Sequence, residues 1–145
     1  MTRAALLAVA LLVGACATPV FTIPGGRLGG PVVTAAVDDW GFTRDVETIQ
    51  LETRPDDPYS VNVWCAGKGP ALWVAAGSES NTWARNLVAD PRARVRVGEE
   101  RVYELQAVRV TDPAEVELVM SLYEAKYDWK PDPDAPRTVF RLDPR

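Results

Sequence analysis

Polar and apolar residues alternate from Val46 to Thr53, with Ile49, Leu51 and Thr53 on one side and Thr48, Gln50 and Glu52 on the other. A period of two predicts a half-buried strand, closed by Pro55-Asp56-Asp57-Pro58. Two β-rich runs, 60–66 and 71–77, flank Gly67-Lys68-Gly69-Pro70, whose length and composition suit a hairpin. Both faces of these runs are largely apolar, so the strands need cover on both sides, as in a barrel or beneath a helix. Ser80 stands where a helix cap is expected, and Ala84, Leu87 and Val88 share one helical face until Asp90-Pro91 stops the helix.

The alternation resumes at 92–97, where Arg92, Arg94 and Arg96 oppose Ala93, Val95 and Val97, and the long run 101–110 returns after Gly98-Glu99-Glu100 as a second hairpin. The arginine row reads as a solvated strand face or one that meets lipid head groups, the net negative charge favouring the first. Asp112-Pro113-Ala114-Glu115 is a helix start, with a capping residue, a proline at the first helical position and a carboxylate able to reach back. Val116, Val119, Met120, Tyr123 and Tyr127 then repeat at helical spacing to about Asp128, facing a core. After a proline-rich loop, 130–136, the stretch 138–142 predicts a closing strand with Phe140 and Leu142 on one side. Six strands and two helices in this order predict a mainly β (α+β) domain, an antiparallel barrel with helices at its rim.

Ahead of this domain the pattern changes. Met1 to Arg3 carry a positive start, Ala4 to Val13 are uninterrupted apolar residues, and Gly14 and Ala15 precede Cys16. The run is too short to span a bilayer and matches a bacterial lipoprotein export signal over residues 1–15, with the Cys16 thiol accepting the lipid. Two or three acyl chains would hold the protein firmly at a membrane. Residues 16–36 are rich in Pro, Gly and Thr, which predicts a flexible tether, and the barrel domain is expected at 37–145. The expected location is the cell envelope. Ala17, rather than aspartate after the cysteine, points to the periplasmic side of an outer membrane where the cell has two membranes.

Composition narrows the chemistry. Of 16 basic residues the export segment holds one, Arg3, so the remainder has 15 against 20 acidic residues, a net charge near −5 and the wrong sign for a nucleic-acid binder. The chain has no histidine, which removes histidine bases, triads and histidine metal sites, and its carboxylates show no metal-ligand spacing. If Cys16 carries lipid, Cys65 has no disulfide partner, and its strand parity with Val61 and Val63 makes it a buried apolar residue. Trp64, Trp73 and Trp83 serve either a planar ligand or the core, and Tyr103, Tyr123 and Tyr127 either donate protons or pack.

The stretch from Trp83 to Glu104, with Gly77 before it, resembles the deazaflavin-dependent nitroreductase group of the flavin-binding split-barrel superfamily, which includes the pyridoxamine 5'-phosphate oxidases. Gly77, Trp83, Asn86, Leu87, Asp90, Pro91, Val95 and Val97 carry the resemblance. It implies a six-stranded split β-barrel, often paired as a homodimer, that holds FMN or an 8-hydroxy-5-deazaflavin coenzyme. Carried across residue by residue, it places Ser60, Val61 and Asn62 beside the cofactor ring and Ser78, Ser80, Asn81, Thr82, Trp83 and Arg85 around its phosphate. Hydroxyls, a helix N-terminus and an arginine are the right donors for an anion. Glu79 departs from the pattern, standing in a loop that lacks a base.

Two functional readings follow, beside that of a purely structural envelope protein with a specific partner and no ligand. One is an envelope-anchored oxidoreductase that passes hydride between such a cofactor and a small oxidised organic substrate, with the cofactor supplying the chemistry. The other is a barrel without cofactor that binds a ligand or a protein, in which Ser80 only caps a helix and Arg85 is solvated.

Overall fold

The computed structural model describes residues 18–99 and 101–145; the export segment and Cys16 lie outside the described residues. In chain order the elements are β1 (Val32–Val33), a 3-10 turn (Trp40–Asp45), β2 (Ile49–Thr53), β3 (Tyr59–Val63), β4 (Cys65–Lys68), β5 (Ala71–Ala76), α1 (Thr82–Ala89), β6 (Arg92–Val97), β7 (Arg101–Arg109), α2 (Pro113–Tyr127) and β8 (Thr138–Pro144). Strands pair in the order β3-β2-β6-β7-β8-β5-β4, all antiparallel, and β1 adds to β7 in parallel.

The two ends of that order, β3 and β4, are consecutive in the chain with only Trp64 between them. The sheet must therefore curl until its edges meet at Trp64, which makes it a split barrel. The single strand expected at 60–66 is thus two, and with β1 there are eight strands among the described residues rather than six. The kink frees backbone groups that neither neighbouring strand satisfies, and α2 supplies their partners. Tyr123 Oη donates to Trp64 O (2.9 Å), Tyr127 Oη accepts from Cys65 N (3.0 Å), and Lys126 Nζ donates to Cys65 O (3.0 Å) and Thr43 O (2.9 Å).

Inside the barrel, Leu51, Val74, Val95, Leu105, Phe140 and Leu142 pack with Trp40 and Trp83. A second cluster under α2 joins Trp73, Val119, Met120, Tyr123 and Val139. Each large apolar side chain buried this way contributes roughly 1.5–3 kcal/mol. Trp40 sits on the 3-10 turn, which crosses β4 at Gly67. A Cβ there would lie 2.5 Å from Thr43 Oγ1 and closer still to Trp40 O, so only glycine permits the approach.

Each helix start departs from expectation in one contact. Asn81, not Ser80, precedes the first turn of α1 and makes no side-chain capping bond, while Ser80 Oγ pairs with Ser78 Oγ at 2.7 Å. Asp112 does cap α2, accepting from Ala114 N (3.2 Å). Glu115, however, does not reach back to the cap. It accepts from Trp73 Nε1 (2.8 Å) and Arg141 (2.8 and 3.0 Å), stronger partners supplied by the sheet.

The largest difference lies in residues expected to form a free tether. Gly25 exchanges two backbone hydrogen bonds with Ser60 on the outer edge of β3, and Val20 bridges Ile23 in a small hairpin. Leu28 is buried, and its N–H donates to Glu52 Oε2 (2.6 Å). The segment ends by pairing Val32 and Val33 with Val102 and Tyr103, a part of β7 that β8 leaves free. It is a strap across the outer face of β3, β2, β6 and β7. Unpaired strand edges and a buried carboxylate give it partners that its Pro- and Gly-rich composition does not announce.

The strap also overturns the reading of the arginine row as solvated. Arg94 is 9% exposed and donates from Nη1 to Glu52 Oε2 (3.3 Å) and Leu28 O (3.3 Å), and Arg96 donates to Gly29 O (3.0 Å) and Gln50 Oε1 (2.7 Å). Arg92 and Arg96 stay half-buried, Arg92 held by Asp90 and Asp56. Glu52, expected on a polar face, is 1% exposed for the same reason.

Candidate functional site

The loop from Gly77 to Asn81 leaves β5 at the sheet's end and enters α1, and the sequence there accounts for its openness. Gly77 has nothing within 4 Å of where a Cβ would stand, Ser78 and Ser80 bond each other, and the first turn of α1 keeps donors that no side chain caps. Asn86 Nδ2, one of the residues that carried the resemblance, donates to Thr53 Oγ1 (2.9 Å) and ties α1 to the end of β2.

Glu79 does not stand alone in this loop. It accepts from Arg109 Nη2 (2.9 Å) and Thr138 Oγ1 (3.4 Å), and the bond from Arg109 holds its carboxyl below the usual range. Arg109 also lies over the Phe140 ring at 5.8 Å. With Glu79 neutralised by Arg109, the nearby Arg85 is left as net positive charge, and Glu79, Arg85, Arg109 and Thr138 line one cavity of about 330 Å³. From α1 that cavity takes Ala84, Arg85 and Val88, while the loop hydroxyls and the first turn of α1 immediately precede it in the chain; hydroxyls, a helix N-terminus and an arginine are donor types that suit a phosphate.

A second cavity, of about 360 Å³, opens between the end of β5, α2 and the 129–138 loop. Its walls include Ala75, Gly77, Met120, Tyr123, Trp64 and Trp129, with Lys130 and Arg137 among its polar groups. Trp64 stacks on Tyr127 with ring centres 4.2 Å apart and planes within 8°, and Trp129 meets Trp64 edge-on at 6.4 Å. Thr138 lines both cavities, so the loop site and the aromatic site adjoin. The pairing suits an anionic group at the loop and a flat, largely apolar body against the aromatic wall.

The remaining site residues read from sequence divide. Ser78, Ser80, Asn81, Thr82 and Arg85 are together at the loop, with Thr82 and Arg85 exposed. Trp83 is not a ligand wall: it is buried and packs edge-on against Phe140 at 6.1 Å, because its face of α1 points into the barrel. Ser60 and Asn62 are taken by the strap, Ser60 through its backbone and Asn62 through bonds from Nδ2 to Phe21 O (3.1 Å) and Pro19 O (3.4 Å). Val61 keeps partial exposure and packs against the barrel core. Trp73 is likewise core, with its Nε1 on Glu115.

Tyr123 and Tyr127 are unsuited to donating protons, because burial raises both hydroxyls above the ordinary range and backbone groups occupy them. Tyr103 packs against Trp40 at 5.0 Å. Cys65 is fully buried, and burial raises its thiol despite Lys126 Nζ at 3.6 Å. Among the described residues no group of His, Cys, Asp or Glu could hold a metal ion, and no helix is long and apolar enough to cross a membrane. Arg109, Trp129, Arg137 and Thr138 were missed by sequence reading, since nothing local marks residues that converge only on folding.

Residues 57–131 match the F420H(2)-dependent quinone reductase family, a span that includes β3, the whole 77–85 loop and α2. No curated protein is significantly similar to the chain. Among the solved structures that share its fold are three of 17 to 22% identity. A candidate pyridoxamine 5'-phosphate oxidase from Listeria innocua is 17% identical with a TM-score of 0.56, over 68% of this chain and 84% of that one. The conserved hypothetical protein Rv2991 from Mycobacterium tuberculosis is 22% identical with a TM-score of 0.56, over 72% and 76%. An FAD-binding protein from Mesorhizobium loti is 19% identical with a TM-score of 0.52, over 68% and 79%.

Proposed function

We propose that this chain, which belongs to the F420H(2)-dependent quinone reductase family, binds a reduced deazaflavin and delivers hydride to a small oxidised, quinone-like substrate. The observation that carries the reading is the neutralisation of Glu79 by Arg109, which leaves Arg85 free beside an open helix start within the matched span. Ser78, Ser80, Asn81, Thr82 and Arg85 would hold the anionic part of the cofactor, and Arg109, through its bond to Glu79, would keep that carboxylate from repelling it. The reduced cofactor supplies a hydride, which carries both electrons of the reduction. Trp64, Trp129, Met120 and Tyr123 would receive the substrate's flat body and keep water from it. With no histidine in the chain and Tyr123 and Tyr127 committed to backbone, the proton that completes reduction comes from solvent at the cavity mouth.

The same proposal includes lipid attachment at Cys16, which puts the enzyme at the cell envelope, on the periplasmic face of the outer membrane where there are two. A homodimer is its expected state. FMN is the alternative cofactor, since flavin and deazaflavin offer similar ring and phosphate chemistry. The occupation of Ser60 and Asn62 by the strap favours a second reading, a ligand-binding barrel without cofactor.

The test is a titration of the purified protein with F420 and with FMN, followed by absorbance and fluorescence, and then oxidation of reduced F420 by a soluble quinone. Micromolar binding, weakened about tenfold by Arg85→Ala through loss of one charge-assisted contact, is the expected result. Failure to bind either cofactor sinks the oxidoreductase reading and leaves the second. Acyl labelling of wild type that disappears in Cys16→Ser tests the anchor separately, and light scattering gives the oligomeric state.

A further inference from the structure

Most large apolar side chains among the described residues are buried, yet Val20, Phe21 and Ile23 stand 45%, 87% and 66% exposed in a single hairpin. Two backbone bonds close it, Val20 N to Ile23 O (3.1 Å) and Ile23 N to Val20 O (2.8 Å), with Phe21 at the tip in the left-handed region at φ 50°. A bulky residue is rarely found there. The hairpin is fixed to the barrel: Asn62 donates to Phe21 O and Pro19 O, and Pro19 itself is buried. A fixed tip that presents three apolar side chains to water calls for an apolar occupant.

We infer that this hairpin rests in the surface of the lipid bilayer and sets the barrel's orientation on it. The inference builds on the proposed lipid at Cys16. From Cys16 to Pro19 is three residues, a reach of at most roughly 11 Å for extended chain. The acyl attachment point therefore lies about one headgroup layer from a hairpin that cannot swing away. Charge agrees with this placement: residues 17–37 contain no Asp or Glu and one base, Arg27, in a chain that is otherwise net acidic. An anionic bilayer surface would repel the acidic body of the protein and tolerate this segment. The strap is thus a mount rather than a tether. It runs from the lipid to the edge of β3 and on across the sheet to β7.

The experiment uses lipidated protein in vesicles of phosphatidylethanolamine and phosphatidylglycerol, with Thr22→Cys carrying an environment-sensitive fluorophore; buried Cys65 does not compete for the label. Blue-shifted emission, quenched by spin-labelled acyl chains and shielded from iodide, is expected. Adding Phe21→Ser and Ile23→Ser should cut the acyl-chain quenching severalfold while the protein still sediments with vesicles. Sedimentation with a water-exposed probe would overturn the hairpin inference and leave the anchor intact. Energy transfer between labelled copies without quenching by lipid would overturn it in favour of a second copy as occupant. Absence of both acyl label and sedimentation would overturn the anchor and this inference together.

Discussion

Replacing Glu52 by alanine tests whether the strap is built into the fold. Its carboxylate is 1% exposed and serves three donors: Leu28 N at 2.6 Å, Arg94 Nη1 at 3.3 Å and Arg27 Nη1 at 3.4 Å. Arg27 is half exposed and contributes little. Arg94 is buried, and stranding its charge costs about 3–5 kcal/mol. The orphaned Leu28 N–H adds about 1–3 kcal/mol, though the strap can lift to hydrate both groups, at the loss of Leu28 burial worth roughly 1.5–3 kcal/mol. Escape by lifting caps the total near the worth of that burial, so the expected loss is about 2–3 kcal/mol. Urea unfolding at neutral pH measures it, and hydrogen exchange should show lost protection at Leu28 and at Val102, whose N–H bonds Pro31 O. Glu52→Leu with Arg94→Leu removes both partners and should recover most of the stability. A loss below about 1 kcal/mol for Glu52→Ala, or a double variant no better than the single, would refute the reasoning.

Other expectations follow from particular contacts. Gly67→Ala forces a Cβ against Trp40 O and Thr43 Oγ1 and should cost about 1–3 kcal/mol, read as a lower Tm by calorimetry. Glu79→Gln frees Arg109 for an anion, so deazaflavin affinity should rise severalfold in the same titration; unchanged affinity would remove Arg109 from the proposed site. The Glu115 carboxyl is held below its usual value first by the Trp73 bond and then by Arg141, so its stabilisation is complete above about pH 4.3 and is lost as pH falls through the depressed folded value. Glu115→Gln should flatten that part of the acid limb of stability against pH. Burial and a raised pKa protect Cys65, so a thiol reagent should react with it only as denaturant unfolds the barrel; rapid reaction in the native protein would contradict the packing.

The sequence by itself determined the parts that depend on near neighbours. Alternation marked β2, β6 and β7, Asp112-Pro113 marked the start of α2, Asp90-Pro91 marked the end of α1, and the Gly77 to Val97 stretch carried the resemblance to the split barrel. These signals act over one to four residues, where backbone geometry and side-chain spacing decide the outcome. The loop side of the candidate site, Ser78 to Arg85, was legible for the same reason. Tertiary structure decided everything that rests on partners far apart in the chain. Glu52 is buried because Leu28 and Arg94 reach it across 24 and 42 residues, and the Trp64 kink is tolerated because Lys126 and Tyr127 reach Cys65 across 61 and 62. A Pro- and Gly-rich segment becomes a strap only when a curled sheet offers it an unpaired edge and a buried carboxylate. Glu79 becomes compatible with an anion only when Arg109 arrives from β7 to neutralise it.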